Sequence, residues 1–389
     1  MADQVRLAGD VGEIAFSRPY MDDEEANAAA EVIRSHWIVS GPRLADFEDR
    51  FAQECGVRHA IGVSSWTTGA FLVLHAWGIG PGDEIIVPSL TFIASVNVVA
   101  HTGARPVFVD VDPLTWNIDP ADVLRKITPH TKVVMPIDQL GLPSDIDAIN
   151  DIARQYGLRV LEDAACAFGS RNRGRRIGSL AEVTVFSLHA RKVISTGEGG
   201  MIVTDDDALA ERLRRLRHQG MSISDYARHG AAPTLFETYP EIGYNFRITD
   251  IQAAIGLVQL GKLPAILEKR RLVAERYNAY LNDHPLFIRP HVPEGMEPNW
   301  QSYMIGLRSA RGLDRNAVMA WLYERGIPTR RGVMASHLEP PYRDPNVRLP
   351  HTEMAAANTL QLPMHPSLTP RQQDYIIEKL EEFTASGRL

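Results

Sequence analysis

Between about residues 58 and 220, short apolar runs alternate with stretches of helical periodicity. The runs are His59–Ser64, Glu84–Pro88, Pro106–Asp110, Lys132–Pro136, Arg159–Glu162, Val183–Ser187 and Gly200–Val203, rich in Val and Ile. A strand with one wet face alternates apolar and polar positions, whereas several of these runs are apolar throughout, as burial on both faces requires. Helical patterns separate the first five. The rhythm predicts an α/β fold: an open, mostly parallel seven-stranded sheet with helices on both faces.

After Thr249 the pattern changes. Thr249 and Asp250 can cap a helix through Ile251, Ala254, Ile255 and Val258. Pro264 is expected to interrupt it, with a charged helix following to about Asn282. A strand over Ser302–Leu307, a helix over Asp314–Arg325 and a last helix near Arg371–Phe383 complete a smaller α+β domain. No internal repeat or low-complexity segment is present.

Composition narrows the class. The chain has 389 residues, 44% of them hydrophobic, enough for two domains with sizeable cores. A net charge of -7 on a mixed surface argues against sequence-independent binding to nucleic acid or anionic membranes. Cys55 and Cys166 lack any pair spacing, so neither a disulfide framework nor a metal site is expected, and a cytoplasmic location suits them. Met1–Glu13 carries acids and lacks the basic start and apolar stretch of a signal peptide. The most apolar segment, Ile85–Ala100, is too short and too polar to span a bilayer.

Three segments carry candidate chemistry. The apolar strand Leu158–Leu161 ends in Glu162 and Asp163, followed by Ala164 and Ala165. Ligands of open α/β sheets bind beyond the carboxyl ends of strands, so Asp163 would project into a cleft. There it could hold a protonated ring nitrogen, cap a helix or bind a metal. Lys192 follows the strand ending at Ser187 and precedes the glycine-rich Thr196–Gly200. That setting suits a nucleophilic amine better than a surface charge, and Arg191 could lower its pKa or could face water. Ser64–Ala70 places hydroxyls and free amides at a helix start, fit for a phosphate or for plain capping. Gly78–Gly82 precedes a strand and reads as a turn rather than a dinucleotide fingerprint. The basic run Arg171–Arg176 also reads as a turn.

These pieces, in this order over nearly the whole chain, resemble the DegT/DnrJ-type sugar aminotransferases, a fold-type I family dependent on pyridoxal 5′-phosphate (PLP). The resemblance rests on Trp37–Pro42, Pro81–Pro88, Phe108–Asp112, Glu162–Ala165, Thr196–Gly200 and Gly243–Arg247. It implies that Lys192 is the Schiff-base lysine and Asp163 the partner of the pyridinium nitrogen. It further implies phosphate binding by Ser187, Thr67 and the backbone at Trp66, and stacking by Phe92. Asn245 would reach the phosphate of a neighbouring subunit, making the protein a homodimer with shared sites. Cys166 stands where the family generally has His or Gln near the cofactor's phenolic oxygen, and a thiol is a weaker donor. Trp66 takes the place of a smaller residue, so its side chain is expected to point elsewhere. Arg330 and His337 would border the sugar.

The expected division is an N-terminal segment (1–44) packing on the small domain, a PLP-binding domain (45–255) and a small C-terminal domain (256–389). The implied reaction moves an amino group from an amino acid, usually glutamate, to a nucleotide-linked keto-deoxysugar. An aminocyclitol ketone would use the same residues. A same-fold sugar dehydratase would carry His in place of Lys192, and a regulatory relative would have no need of that lysine.

Overall fold

The computed structural model describes residues 11–223, 236–308 and 313–386; most of the acidic start, residues 1–10, lies outside them. Seven strands form the main sheet. They are β1 (His59–Val63), β2 (Glu84–Pro88), β3 (Arg105–Val109), β4 (Thr131–Val134), β5 (Arg159–Asp163), β6 (Val183–Ser187) and β7 (Gly200–Thr204). Their order is β1-β7-β6-β5-β4-β2-β3. β2, β3, β4, β5 and β6 pair in parallel, and β7 runs antiparallel to both its neighbours.

Side chains alternate between the two faces of the sheet. Ile85, Val87, Val133, Leu161, Val185 and Ile202 join one core, which includes Leu72 and Val73 of the Trp66–Ala76 helix. Ile86, Val134 and Val160 meet Ile146 and Ile149 of the Ile146–Tyr156 helix. Phe186, Met201 and Val203 meet Phe47, Phe51 and Phe168. Covering both faces is why the runs are apolar throughout. The basic run is indeed a turn: Arg171–Asn172 pairs with Arg175–Arg176, and Arg173 (φ 50°) and Gly174 (φ 73°) take the left-handed conformation between them.

One expectation fails. Pro264 does not break the chain into two helices; a single helix runs from Asp250 to Leu281, opened by a Thr249–Gln252 capping box. A proline inside a helix costs about 3 kcal/mol. Packing on both sides offsets it. Gly256 lies against the Phe47 ring so closely that a side chain there would collide, and Leu263 and Ile266 are buried in the same core. Beyond the proline, Val273, Ala274, Tyr277 and Leu281 enter a different core.

That second core belongs to a four-stranded antiparallel sheet of β8 (Phe287–Ile288), β9 (Tyr303–Leu307), β10 (Arg330–Arg331) and β11 (Thr359–Leu362), ordered β8-β9-β11-β10. Only β9 is visible in the periodicity, since β8 and β10 are two residues each. Ile14 is buried in this core, and Phe16 accepts a backbone bond from Met364 (3.2 Å).

Candidate active site

The candidate residues gather along the carboxyl edge of the sheet. β1 feeds the helix Trp66–Ala76 through Ser64 and Ser65. Ser65 accepts from the Thr68 amide, and Thr68 Oγ1 accepts from the Ser65 amide, both at 3.1 Å. This box uses two hydroxyls of the run, whereas the amides of Trp66 and Thr67 have no partner inside a helix that starts there. Thr67 is half-buried. The Trp66 indole is buried and donates to the carbonyl of Val185 on β6 (3.1 Å), so only its backbone faces the helix start. Gly200 closes the other side: a Cβ there would come within 2.5 Å of the Ser65 carbonyl carbon. Ser187, half-buried at the end of β6, accepts a long bond from the His189 amide (3.4 Å).

Asp163 ends β5 and is 3% exposed. Its Oδ2 accepts from Ser95 Oγ (2.7 Å) and its Oδ1 from the Ala165 amide (3.1 Å). Burial pushes the carboxyl up from its ordinary 3.8 to about 6; the Ser95 and Ala165 bonds and the Lys192 charge hold it back from going higher. Behind it lie two more buried acids. Asp138 accepts from the amide (2.8 Å) and hydroxyl (2.5 Å) of Ser144, and Glu162 accepts from Thr184 (2.7 Å). Burial raises both; the Asp163 charge raises Asp138 further, and the Asp138 and Asp163 charges raise Glu162 further.

Lys192 lies in the loop after β6, half-buried, with Nζ 3.1 Å from the Cys166 sulfur. The amine therefore meets the segment that follows Asp163, and its charge acts on the Asp163 carboxyl. Phe92 is 71% exposed, on the turn after β2, and its carbonyl accepts from the Ser95 amide (3.1 Å). An uncovered aromatic face thus stands next to the residue that holds Asp163. Ring-nitrogen partner, amine, aromatic face and free amides are the set that a phosphorylated pyridine aldehyde requires, and the residues present fit it.

The remaining candidates stand apart. Asn245 is exposed, in an isolated bridge with His218, just beyond a segment whose Phe236, Tyr239 and Ile242 are also exposed. Arg330 is exposed on β10, with its guanidinium 5.2 Å from the Phe16 ring centre. His337, expected beside the sugar, is buried instead: Nδ1 meets Ser89 Oγ (2.7 Å) and Nε2 meets Glu353 (3.4 Å). With both nitrogens engaged, its ring ties the small unit to the end of β2 and shows no face to the cleft.

Ser95, Phe16 and the acids at 138 and 162 were not singled out as site residues by sequence. Ser95 is 68 positions from its partner, and nothing in the spacing marks it. Among the described residues no three acidic, His or Cys side chains gather to hold a metal ion, and no helix is long and apolar enough to cross a membrane.

The model of the DegT/DnrJ/EryC1/StrS aminotransferase family matches residues 19–381. Aminotransferase TlmJ from Streptoalloteichus hindustanus is 35% identical, with 96% of this chain and 99% of that one covered at a TM-score of 0.89. DesV of S. venezuelae, solved with a ketimine intermediate, is 35% identical over 94% of this chain and 98% of its own, TM-score 0.86. Spr1654 from Streptococcus pneumoniae, a proposed sugar aminotransferase solved in a PLP-form, is 26% identical over 97% and 100%, TM-score 0.89.

Proposed function

The chain belongs to the DegT/DnrJ/EryC1/StrS aminotransferase family, and we propose that it uses PLP to move an amino group from L-glutamate to a nucleotide-linked keto-deoxysugar. The observation that carries this reading is the Lys192 amine, which meets Cys166 and acts on the buried Asp163 carboxylate, beside the open face of Phe92. When bound, PLP supplies a carbonyl that captures amines and a ring that withdraws electrons from the adjacent carbon.

Lys192 Nζ holds the cofactor and, once released, takes the proton from the donor's α-carbon and then returns it. Asp163, aimed by Ser95 and Ala165, holds the proton on the ring nitrogen. Opposite that cation its carboxyl is drawn back toward the charged form, against the burial that raises it. The Trp66 and Thr67 amides, the Thr67 hydroxyl and Ser187 receive the phosphate, with the helix dipole behind them. Cys166, whose sulfur is 3.1 Å from Nζ, would offer the cofactor's phenolic oxygen only a weak thiol donor.

Asn245 serves the phosphate of a second subunit in this reading, and the exposed Phe236, Tyr239 and Ile242 beside it supply an apolar contact surface. The two free cysteines fit a cytoplasmic enzyme.

Purified protein with PLP is expected to absorb near the visible edge and to shift on adding glutamate, and Lys192→Ala to abolish the shift. A panel of nucleotide keto-sugars identifies the acceptor. Mixing inactive Lys192→Ala and Asn245→Ala chains should restore activity, since one site of each mixed dimer is then intact. An unchanged spectrum in the Lys192→Ala protein would contradict the assignment of the amine.

A further inference from the structure

The Arg191 guanidinium lies 5.0 Å from the Phe16 ring centre, and that of Arg330 lies 5.2 Å from the same ring. Three distant stretches of chain therefore bring two cations onto one aromatic side chain. Neither arginine forms an ion pair among the described residues; Arg330 donates only to the carbonyl of Thr329 (3.0 Å). Arg18 follows Phe16 by two positions. Arg270, 2% exposed on the long helix, donates to the carbonyls of Trp300 and Gln301 (3.0 Å each). Gln301 in turn donates to the Arg191 carbonyl (2.9 Å) and fixes its backbone. His365, beside the Met364 that bonds Phe16, is buried, and that burial together with the Arg270 charge holds its imidazole below the ordinary value.

In a chain of net charge -7, these two exposed arginines have no ion-pair partner among the described residues, which leaves both guanidinium forks open to an anion from outside. We propose that Arg191 and Arg330, spaced by Phe16, receive the two carboxylates of a dicarboxylic amino-acid donor. This rests on the aminotransferase reading, in which glutamate is already the donor, and assigns the residues that select it.

The position favours a carboxylate close to the reacting carbon. Arg191 precedes Lys192 in the chain, and the Cys166 thiol that meets Lys192 Nζ at 3.1 Å is among the groups acting on the Arg191 charge. A donor's α-carboxylate is one bond from the carbon whose proton Lys192 moves. The diphosphate of a nucleotide sugar is several bonds from its ketone. A guanidinium offers a paired fork to a carboxylate. Arg330, within about 10 Å of Arg191 across the ring, is left for the side-chain carboxylate. Phe16 gives the methylenes between them a flat apolar wall. The site should therefore prefer glutamate to glutamine and to alanine.

Calorimetric titration of the holoenzyme with glutarate, which has both carboxylates and no amine to react, tests the receptor without turnover. Arg191→Gln and Arg330→Gln are each expected to weaken glutarate roughly ten- to a hundredfold. Arg330→Gln should narrow the preference for glutamate over glutamine in the spectral half-reaction, and Arg191→Lys should recover part of the loss. The kcat/KM for the keto-sugar should stay unchanged. An unaltered cofactor band in each variant reports an intact fold. Glutarate binding that is absent in the wild type, or equal in all variants, overturns the proposal, as does a fall in kcat/KM for the keto-sugar alone. If the wild-type band never responds to any amino acid, the aminotransferase reading fails separately, while the glutarate isotherms still decide this one.

Discussion

The two ends of the candidate cofactor site are built on different principles. At the phosphate end, Ser65 and Thr68 bond each other within one helical turn, and Gly200 lets the neighbouring strand approach that turn's backbone. The capping contacts there are between neutral groups and are local. At the ring end, Asp163 is a buried acid backed by Asp138 and Glu162, held by Ser95 from another helix and faced by Lys192 from another loop. The first end caps its helix with neighbouring residues and leaves only neutral amides open, whereas the second keeps a carboxyl in a setting that disfavours its charge until a cation arrives. Function and stability should therefore be coupled at the ring end and separable at the phosphate end.

The largest break is expected from Asp163→Asn. Loss of the charge that holds the ring proton should lower turnover roughly 10²- to 10³-fold. The same change should flatten part of the apoprotein's pH dependence. Because its folded pKa, about 6, exceeds the ordinary 3.8, the native chain holds this proton more tightly than the unfolded chain does. That contribution is full below about pH 4 and is lost as pH rises through about 6, at up to about 1.4 kcal/mol per pH unit. Asp138 and Glu162 keep their own shares. Thermal melts of both apoproteins across this range check the sign; equal slopes would show that Asp163 is not strained by burial.

Ser95→Ala should act through Asp163. It leaves a buried oxygen short of a bond, costing about 1–3 kcal/mol, and removes a bond that lowers the Asp163 pKa. The acid limb of the pH–rate profile should move upward. A lower melting temperature with an unmoved profile would reduce Ser95 to a packing role.

The smallest effect is expected from Ser65→Ala. Loss of the cap should cost about 1 kcal/mol, with the affinity for PLP little changed. An affinity loss of more than about tenfold would mean that this hydroxyl binds the phosphate itself, and the contrast between the two ends would weaken.

Much of this was legible from the chain. The seven apolar runs became the seven strands within one or two residues at their ends, because alternation and burial leave a local trace. Asp163 and Lys192 could be placed beyond strand ends for the same reason, and the Thr249 cap is written in four consecutive residues. The Trp66 side chain points away from the phosphate loop, as a bulky residue there must.

Other features depended on distance in sequence. Sequence by itself determined which segments are strands, where helices begin and which residue types stand at the strand ends, since these follow from periodicity and from bonds between near neighbours. Tertiary structure decided that Pro264 stays inside one helix, that His337 is walled in by Ser89 and Glu353, and that Ser95 meets Asp163. It also decided that Phe16 lies between Arg191 and Arg330. In each case contacts between remote segments outweigh a local preference, or create a neighbour that no local preference encodes.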